Sequence, residues 1–393
     1  MISVEAAKQI IRASCRPLEP VDIAVNNAAG LVLAASVMAP FDIPAFAQSS
    51  MDGYAFRFAD WQPGDTLRVV SESAAGNTKQ TALGNGEACR IFTGAPLPDG
   101  ADTVVMQEKV IRTSNDILIN EPAVIAGQYV RKPGAEIRQG AIALESGHVP
   151  GPASVSFLSA IGVSLVSVYP SPIVTIIVTG NEFQSAGDVP LWGKVYESNA
   201  AGLRAALQQA GVSTINVLYC HDDLNETVAA MQTAINSSDL VLLTGGVSVG
   251  EYDFVGAAAG KCGVQQRFHR VKQKPGKPLF FGTADNVIVF GLPGNPSSVL
   301  TCFYEYVLEA LTCLTKRPVV LSHRQMRLEG HYTKAAGLTH FLKARYKEDV
   351  VVALSAQESF RLASFATANC LLVVNEEVTE ITENSMVNIH LLP

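Results

Sequence analysis

Charge is scarce in this sequence. Asp, Glu, Lys and Arg together make 17% of the 393 residues, against about 25% in an ordinary globular domain. The scarcity has one extreme: none of the four occurs from Ser146 to Asn181. A membrane span needs about 20 predominantly apolar residues. This stretch does not supply them, because Pro150, Pro152, Pro170 and Pro172 interrupt it and Ser154, Ser156, Ser159, Ser164 and Ser167 dilute it. A run of Lys or Arg is also missing. With 29 basic against 36 acidic residues the net charge is −7, so the basic face of a nucleic-acid binder is absent. The seven cysteines include no CxxC pair and the seven histidines no HxH or HxxxH spacing. That argues against a disulfide framework, a zinc knuckle or a local His metal site. The first residues, MISVEAAKQIIRAS, place Glu5 and Lys8 inside an amphipathic pattern, where a signal peptide would be apolar. Ser3 stands where it would cap that helix. The chain reads as soluble and cytoplasmic, with neither nucleic acid nor membrane as partner.

What is present is apolar residue: 48% of the chain, enough for several cores and too much for a disordered protein. Four regions follow. Residues 1–44, with 140–171, read as a helical and linking domain. In it ASVSFLSAI (153–161) is expected to be a short buried helix stopped by Gly162, and VSLVSVY (163–169) a strand. Residues 45–139 read as a small β-rich domain with strands at LRVV, CRIF, TVVM and a hairpin VIRTSNDILI turning at Ser-Asn-Asp. Residues 172–317 alternate strand and helix. PIVTIIVTG is a continuous β-branched run, as in a strand buried on both faces. Helix 199–210, strand 214–219, helix 224–236, strand 239–244, a helix from Asp253, strand 286–291 and helix 296–314 complete a doubly wound parallel sheet. Residues 318–393 read as a C-terminal β domain. The fold class is therefore multidomain α/β plus β.

Ligands in doubly wound sheets bind beyond the carboxyl ends of the strands, so the residues just after each strand are the informative ones. They are Thr179-Gly180-Asn181-Glu182, His221-Asp222-Asp223, Thr244-GGVSVGEYD ending at Asp253, and GLPGNP. Gly245, Gly246, Ser248 and Gly250 build a turn whose N–H groups suit an anion. A tight turn with Asp253 as helix cap explains the same residues. Asp222 or Asp223 likewise either caps helix 224–236 or holds Mg²⁺, which is bound by one or two carboxylates plus substrate phosphates. Lys274 and Lys277 in KPGKP read as a surface turn or as a rigid pair for an oxyanion. Pro293, Asn295 and Pro296 mark a helix start, with Asn295 as cap and Pro296 at the first helical position. Ser49 to Ala55, SSMDGYA, reads as an Asp-Gly turn, and RIFTGAP as strand and turn.

Together these segments resemble one family. SSMDGYA, RIFTGAPLPDGADTVVMQE, TGNE, TGGVSVGEYD, KPGKP and GLPGNPSS occur in the order seen in MoeA-type molybdopterin molybdenumtransferases, also found as the E domain of gephyrin. The resemblance covers essentially the whole chain. It implies a MogA-like α/β domain, a homodimer with sites between subunits, and hydrolysis of adenylylated molybdopterin with Mg²⁺ and molybdate, inserting molybdenum at the dithiolene and releasing AMP. A MogA-type adenylyltransferase is a further partner it allows. By position it marks Asp52, Thr93, Glu182 and Asp253 as catalytic, and Asp253 with Asp222 or Asp223 as metal ligands. Lys274, Lys277, Pro293, Asn295 and Pro296 join the glycine turn on the substrate. Three positions depart from the family pattern. Asn181 replaces an Asp, Glu136 in Gly134-Ala135-Glu136 also replaces an Asp, and Lys343 replaces an arginine that grips an oxyanion, with Arg345 or Arg361 as alternatives. A nucleotide hydrolase of the competence-damage type would share only the α/β domain, and a non-catalytic scaffold would not need acidic strand ends.

Overall fold

The computed structural model describes residues 1–76, 78, 81–245 and 254–393. The chain forms two compact units, one of Asp22–Ala29 with Ala35–Val166, the other of Met1–Val21, Gly30–Ala34 and Ser167–Pro393.

The smaller unit is built on a six-stranded sheet. Its strands are β1 (Gly53–Phe56), β2 (Thr66–Ser73), β3 (Glu87–Ile91), β4 (Thr103–Met106), β5 (Val110–Thr113) and β6 (Asp116–Ile119), in the order β4-β1-β3-β2-β6-β5. The two faces of β1 serve two cores. Tyr54 and Phe56 pack with Trp61, Leu67 and Ile117, while Ala55 packs with Cys89, Ile91 and Val104, as side chains alternating across a strand require. Gly53 is not a turn glycine as expected. It opens β1, and a Cβ there would lie 1.9 Å from the Val105 carbonyl oxygen, so the approach of β4 demands it. Helix α1 (Val4–Ser14), which belongs to the larger unit, is capped by Ser3 Oγ accepting from Ala6 N–H. Helix α2 (Pro152–Ala160) ends before Gly162 at φ +82°, but it is not a buried helix: of its own residues only Leu158 is in the core. Ser156 and Ser159 are exposed and Ser154 is half-buried, so this stretch without charge is not a core segment. Among the described residues no helix is long and apolar enough to cross a membrane.

The larger unit holds a mixed sheet: β7 (Ile173–Thr179), β8 (Thr214–Cys220), β9 (Leu240–Thr244), β10 (Gln265–His269), then β12 (Phe280–Ala284) and β13 (Val287–Leu292), ordered β8-β7-β9-β13-β12-β10. The four strands β8, β7, β9 and β13 are parallel as expected, and an antiparallel pair, β12 and β10, extends the sheet. Helices cover both faces. Those on one side are α3 (Asn199–Gln209), α6 (Pro296–Cys302) and α7 (Leu308–Thr315), whose core includes Leu203, Leu207, Phe281, Phe290 and Tyr306. On the other, α4 (Leu224–Ile235) and α5 (Phe254–Lys261) bury Met231, Ala234, Val255 and Ala258 against Ile177, Val241 and Val289. The expected long helix 296–314 is broken by a π-helical turn, Phe303–Val307, between α6 and α7.

Strand β11 (Gln273–Lys274) lies outside this sheet and pairs in the C-terminal one. There β14 (His323–Glu329), β15 (Thr339–Lys347), β16 (Val350–Ala353), β17 (Cys370–Val374) and β18 (Met386–Leu391) run in the order β15-β16-β14-β18-β17, and β17 pairs back on β15. The closure makes a barrel and leaves few free edges. The expected fold class, β-rich N-terminal sheets, a central α/β layer and a C-terminal β domain, is the one observed.

Candidate functional site

Register brings the strand ends together. Thr179 of β7 pairs with Cys220 of β8, Val178 with Thr244 of β9, and Thr244 with Leu292 of β13. The segments starting at Gly180, His221, Gly245 and Pro293 therefore leave one edge of the sheet. Gly245 has φ +89°, and a Cβ there would meet the Thr179 carbonyl oxygen at 2.5 Å and Thr179 Oγ1 at 2.6 Å. Both facts require glycine. Gly246, Ser248, Gly250 and Asp253 lie outside the described residues.

Two amides stitch this edge. Asn199, at the start of α3 and 8% exposed, donates from Nδ2 to the Gly294 carbonyl (2.8 Å) and to Thr244 Oγ1 (3.3 Å). Asn181 Oδ1 accepts from the Asp222 N–H at 3.4 Å, a role the amide oxygen fills as an Asp would. Glu182 is exposed; a Cβ on Gly180 would come within 2.7 Å of its Oε2, so the glycine leaves room for that carboxylate. Asp223 is the N-cap of α4, its Oδ1 accepting from Asn225 N–H (2.8 Å) and Glu226 N–H (3.0 Å). Asp222 keeps its carboxylate clear of any hydrogen bond among the described residues. No group of three or more His, Cys, Asp or Glu suited to a metal occurs among the described residues.

Beside this edge a cleft of about 760 Å³ is lined by Lys274, Lys277, Pro293, Asn295 and, from the C-terminal barrel, residues 356–359. Four residues picked from two sequence motifs thus share one wall. Strand β11 pairs in parallel with β15, Lys274 opposite His340. Gln273 is fully buried, and its Nε2 donates to the carbonyls of Pro275 and Gly276, both at 3.1 Å, while Tyr306 of the π turn donates to its Oε1. The lysine loop is wrapped around that amide. Gly276, at φ +83°, would drive a Cβ to 2.6 Å from Cys302 Sγ. Lys274 and Lys277 are left exposed. Burial, with Lys274 and Lys334 nearby, holds His340 down at about 4, so it is neutral beside them.

Pro296 takes the first helical position as expected, but Asn295 does not cap α6 with its side chain. Its Nδ2 donates to Ser359 Oγ (3.0 Å) instead, and its carbonyl receives the Ser298 and Val299 N–H groups. Lys343 does not grip an oxyanion: buried at 3% exposure, its Nζ donates to the carbonyls of Ala356, Glu358 and Arg361. Arg361 is paired with Glu358 at 3.2 Å.

In the smaller unit Asp52 and Thr93 meet. Asp52 Oδ1 accepts from Thr93 N–H (2.7 Å) and Thr93 Oγ1 (2.8 Å). These two bonds, helped by Arg90, hold the carboxyl below its usual range. Arg90 donates to the Gly53 carbonyl (2.8 Å) and to Gln107, and lies over the Phe92 ring at 4.7 Å. Asn199, Gln273 and Arg90 were not singled out from sequence. Only Arg90 had a signal, its place inside the RIFTG segment.

Family models match three stretches: the MoeA N-terminal region (domain I and II) at residues 2–162, a probable molybdopterin binding domain at 175–312, and the MoeA C-terminal region (domain IV) at 325–392. The chain is 31% identical over 378 residues to the molybdopterin molybdenumtransferase of Haemophilus influenzae, covering 93% of this chain and 92% of that one. It is 30% identical over 402 residues to molybdopterin molybdenumtransferase 2 of Mycobacterium tuberculosis, covering 99% of each. A crystal structure of the molybdopterin biosynthesis MoeA protein from Pyrococcus horikoshii superposes with a TM-score of 0.85 at 28% identity, covering 100% of this chain and 99% of that one. With its three regions matched in order and its relatives matched nearly end to end, the chain belongs to the MoeA family of molybdopterin molybdenumtransferases.

Proposed function

We propose that this chain takes adenylylated molybdopterin and molybdate, cleaves the phosphoanhydride with water to release AMP, and places molybdenum on the dithiolene. One observation carries the reading: the lysine cleft opens at the edge where four parallel strands end. An anionic substrate needs cations and N–H donors where the chain's net charge of −7 offers none at large. Lys274 and Lys277 supply the fixed cations for the tetrahedral oxyanion, while Gly245, with Gly246, Ser248 and Gly250 beyond the described residues, would take the phosphates. Asp222, with Asp253 beyond the described residues, would hold Mg²⁺, which supplies charge neutralisation on the anhydride when bound. Asp223 orients α4 and so places Asp222. Asp52, kept ionised by Thr93, and Glu182 are carboxylates available as acceptors. The family resemblance adds a homodimer and a MogA-type partner to the reading, and we carry both, with the division into residues 1–44 with 140–171, 45–139, 172–317 and 318–393, as parts of the same proposal.

The test is to incubate the protein with adenylylated molybdopterin, Mg²⁺ and molybdate and to follow AMP and the metallated pterin. AMP release stimulated by molybdate is expected. Release indifferent to molybdate, with other nucleotides cleaved as well, would overturn it in favour of a general nucleotide hydrolase.

A further inference from the structure

We propose that Lys343 is a positioning residue for the cleft, its ammonium standing in for a bound cation at the centre of the loop 356–361 and so setting the wall that faces Lys274 and Lys277. The inference rests on the oxyanion reading of that cleft. Lys343 lies on β15, and its three N–H bonds meet three carbonyls, Ala356 at 2.7 Å, Arg361 at 3.1 Å and Glu358 at 3.2 Å. An ammonium has three donors and no acceptor, so none is left for a ligand. Its charge has no carboxylate within ion-pair distance among the described residues, because Glu358 is turned to Arg361. The compensation comes from carbonyl dipoles aimed inward, as around a metal cation.

The loop would not take this path alone. Ala356 sits at φ +61°, a left-handed conformation unfavourable to a residue with a Cβ. Its carbonyl is shared between Lys343 and Ser364 Oγ (2.8 Å). Gln357 adds a second brace, its Oε1 accepting from Lys343 N–H (3.0 Å) and its Nε2 donating to the Lys343 and Leu354 carbonyls (2.8 and 2.7 Å). The outer side of the loop then meets α6. Ser359 accepts from Asn295 Nδ2 and from Ser297 N–H, each at 3.0 Å, and the Arg361 carbonyl accepts from Ser297 Oγ at 2.7 Å. Lys343 thus acts on the cleft through carbonyls, and the direct contacts fall to Lys274 and Lys277.

The test compares Lys343→Met, Gln357→Ala and the double variant by molybdate-dependent AMP release and by amide hydrogen exchange over 356–361. Faster exchange in that segment is expected for both single variants, with a molybdate KM raised about tenfold in Lys343→Met and a double variant well short of additive. Ammonium ion added to Lys343→Ala should restore both readouts. Unchanged exchange in Lys343→Met overturns the brace. Faster exchange with KM and kcat both at wild-type values overturns the positioning role. Full additivity with Gln357→Ala overturns it too, in favour of direct contact with the anion. If Lys343→Met does not fold, Lys343→Gln, which keeps one donor group, replaces it. Unaltered protein without molybdate-stimulated AMP release sinks the cleft reading and the positioning role together, while the exchange data still judge the brace.

Discussion

Thr93 gives Asp52 two hydrogen bonds on a single oxygen, 2.7 and 2.8 Å long, and the consequence is electrostatic: the carboxylate is favoured over the acid. Removing the hydroxyl in Thr93→Val leaves the amide bond and should move the Asp52 titration up toward the usual Asp value of about 3.9, read by carboxyl NMR. The sign for stability follows. The folded value is lowered, so the contribution is present above the unfolded value and lost as pH falls through the folded one. The same variant should lose turnover near neutral pH if the Asp52–Thr93 pair orients a reacting group.

Among the elements, α4 separates two neighbouring carboxylates that sequence alone left equivalent. Asp223→Ala removes the cap and should cost about 1 kcal/mol in urea unfolding. Asp222→Asn should leave stability unchanged and lower Mg²⁺-dependent turnover roughly 10–100-fold. Equal effects of both on stability would assign Asp222 to the fold as well. At the end of β9, Gly245→Ala puts a Cβ 2.5 Å from the Thr179 carbonyl at a positive φ. Such a change costs more than about 1 kcal/mol, and it should abolish turnover by pushing apart the ends of β7 and β9, with circular dichroism showing the fold retained.

On the scale of the larger unit, one buried charge joins three parts of the chain. Glu305, in the π turn and 1% exposed, takes Lys8 Nζ of α1 at 2.7 Å and His390 Nδ1 of β18 at 2.7 Å. Burial pushes this carboxyl up, but His390 and Lys8 overrule it and the net direction is down. Glu305→Ala leaves Lys8 buried without its partner and should cost about 3–5 kcal/mol, measured by denaturant unfolding. In the unaltered protein that contribution should persist above the ordinary carboxylate range and vanish in acid as pH passes below it. The Lys8–Glu305 pair is not legible from sequence, since 297 residues separate its members.

Local patterning determined the strands and most helices. A β-branched run such as IVTIIVT has few other uses, Ser3 caps the start of α1 as expected, and α3 ends within one residue of its expected bound. The motif set also determined the family, because each segment is short but their order is not accidental. Tertiary structure decided what local pattern cannot carry. Strands β10 and β12 extend the sheet although QQRFH has no alternation that announces a strand. The Asn295 side chain turned from its helix to Ser359, and Lys343 spent its charge on carbonyls, because each found a partner 64 or at least 13 residues away. Which of its few charges stay exposed on the cleft, Lys274 and Lys277, and which are spent inside, Lys8, Glu305 and Lys343, was set by burial and by long-range hydrogen bonds, which have no expression in neighbouring residues.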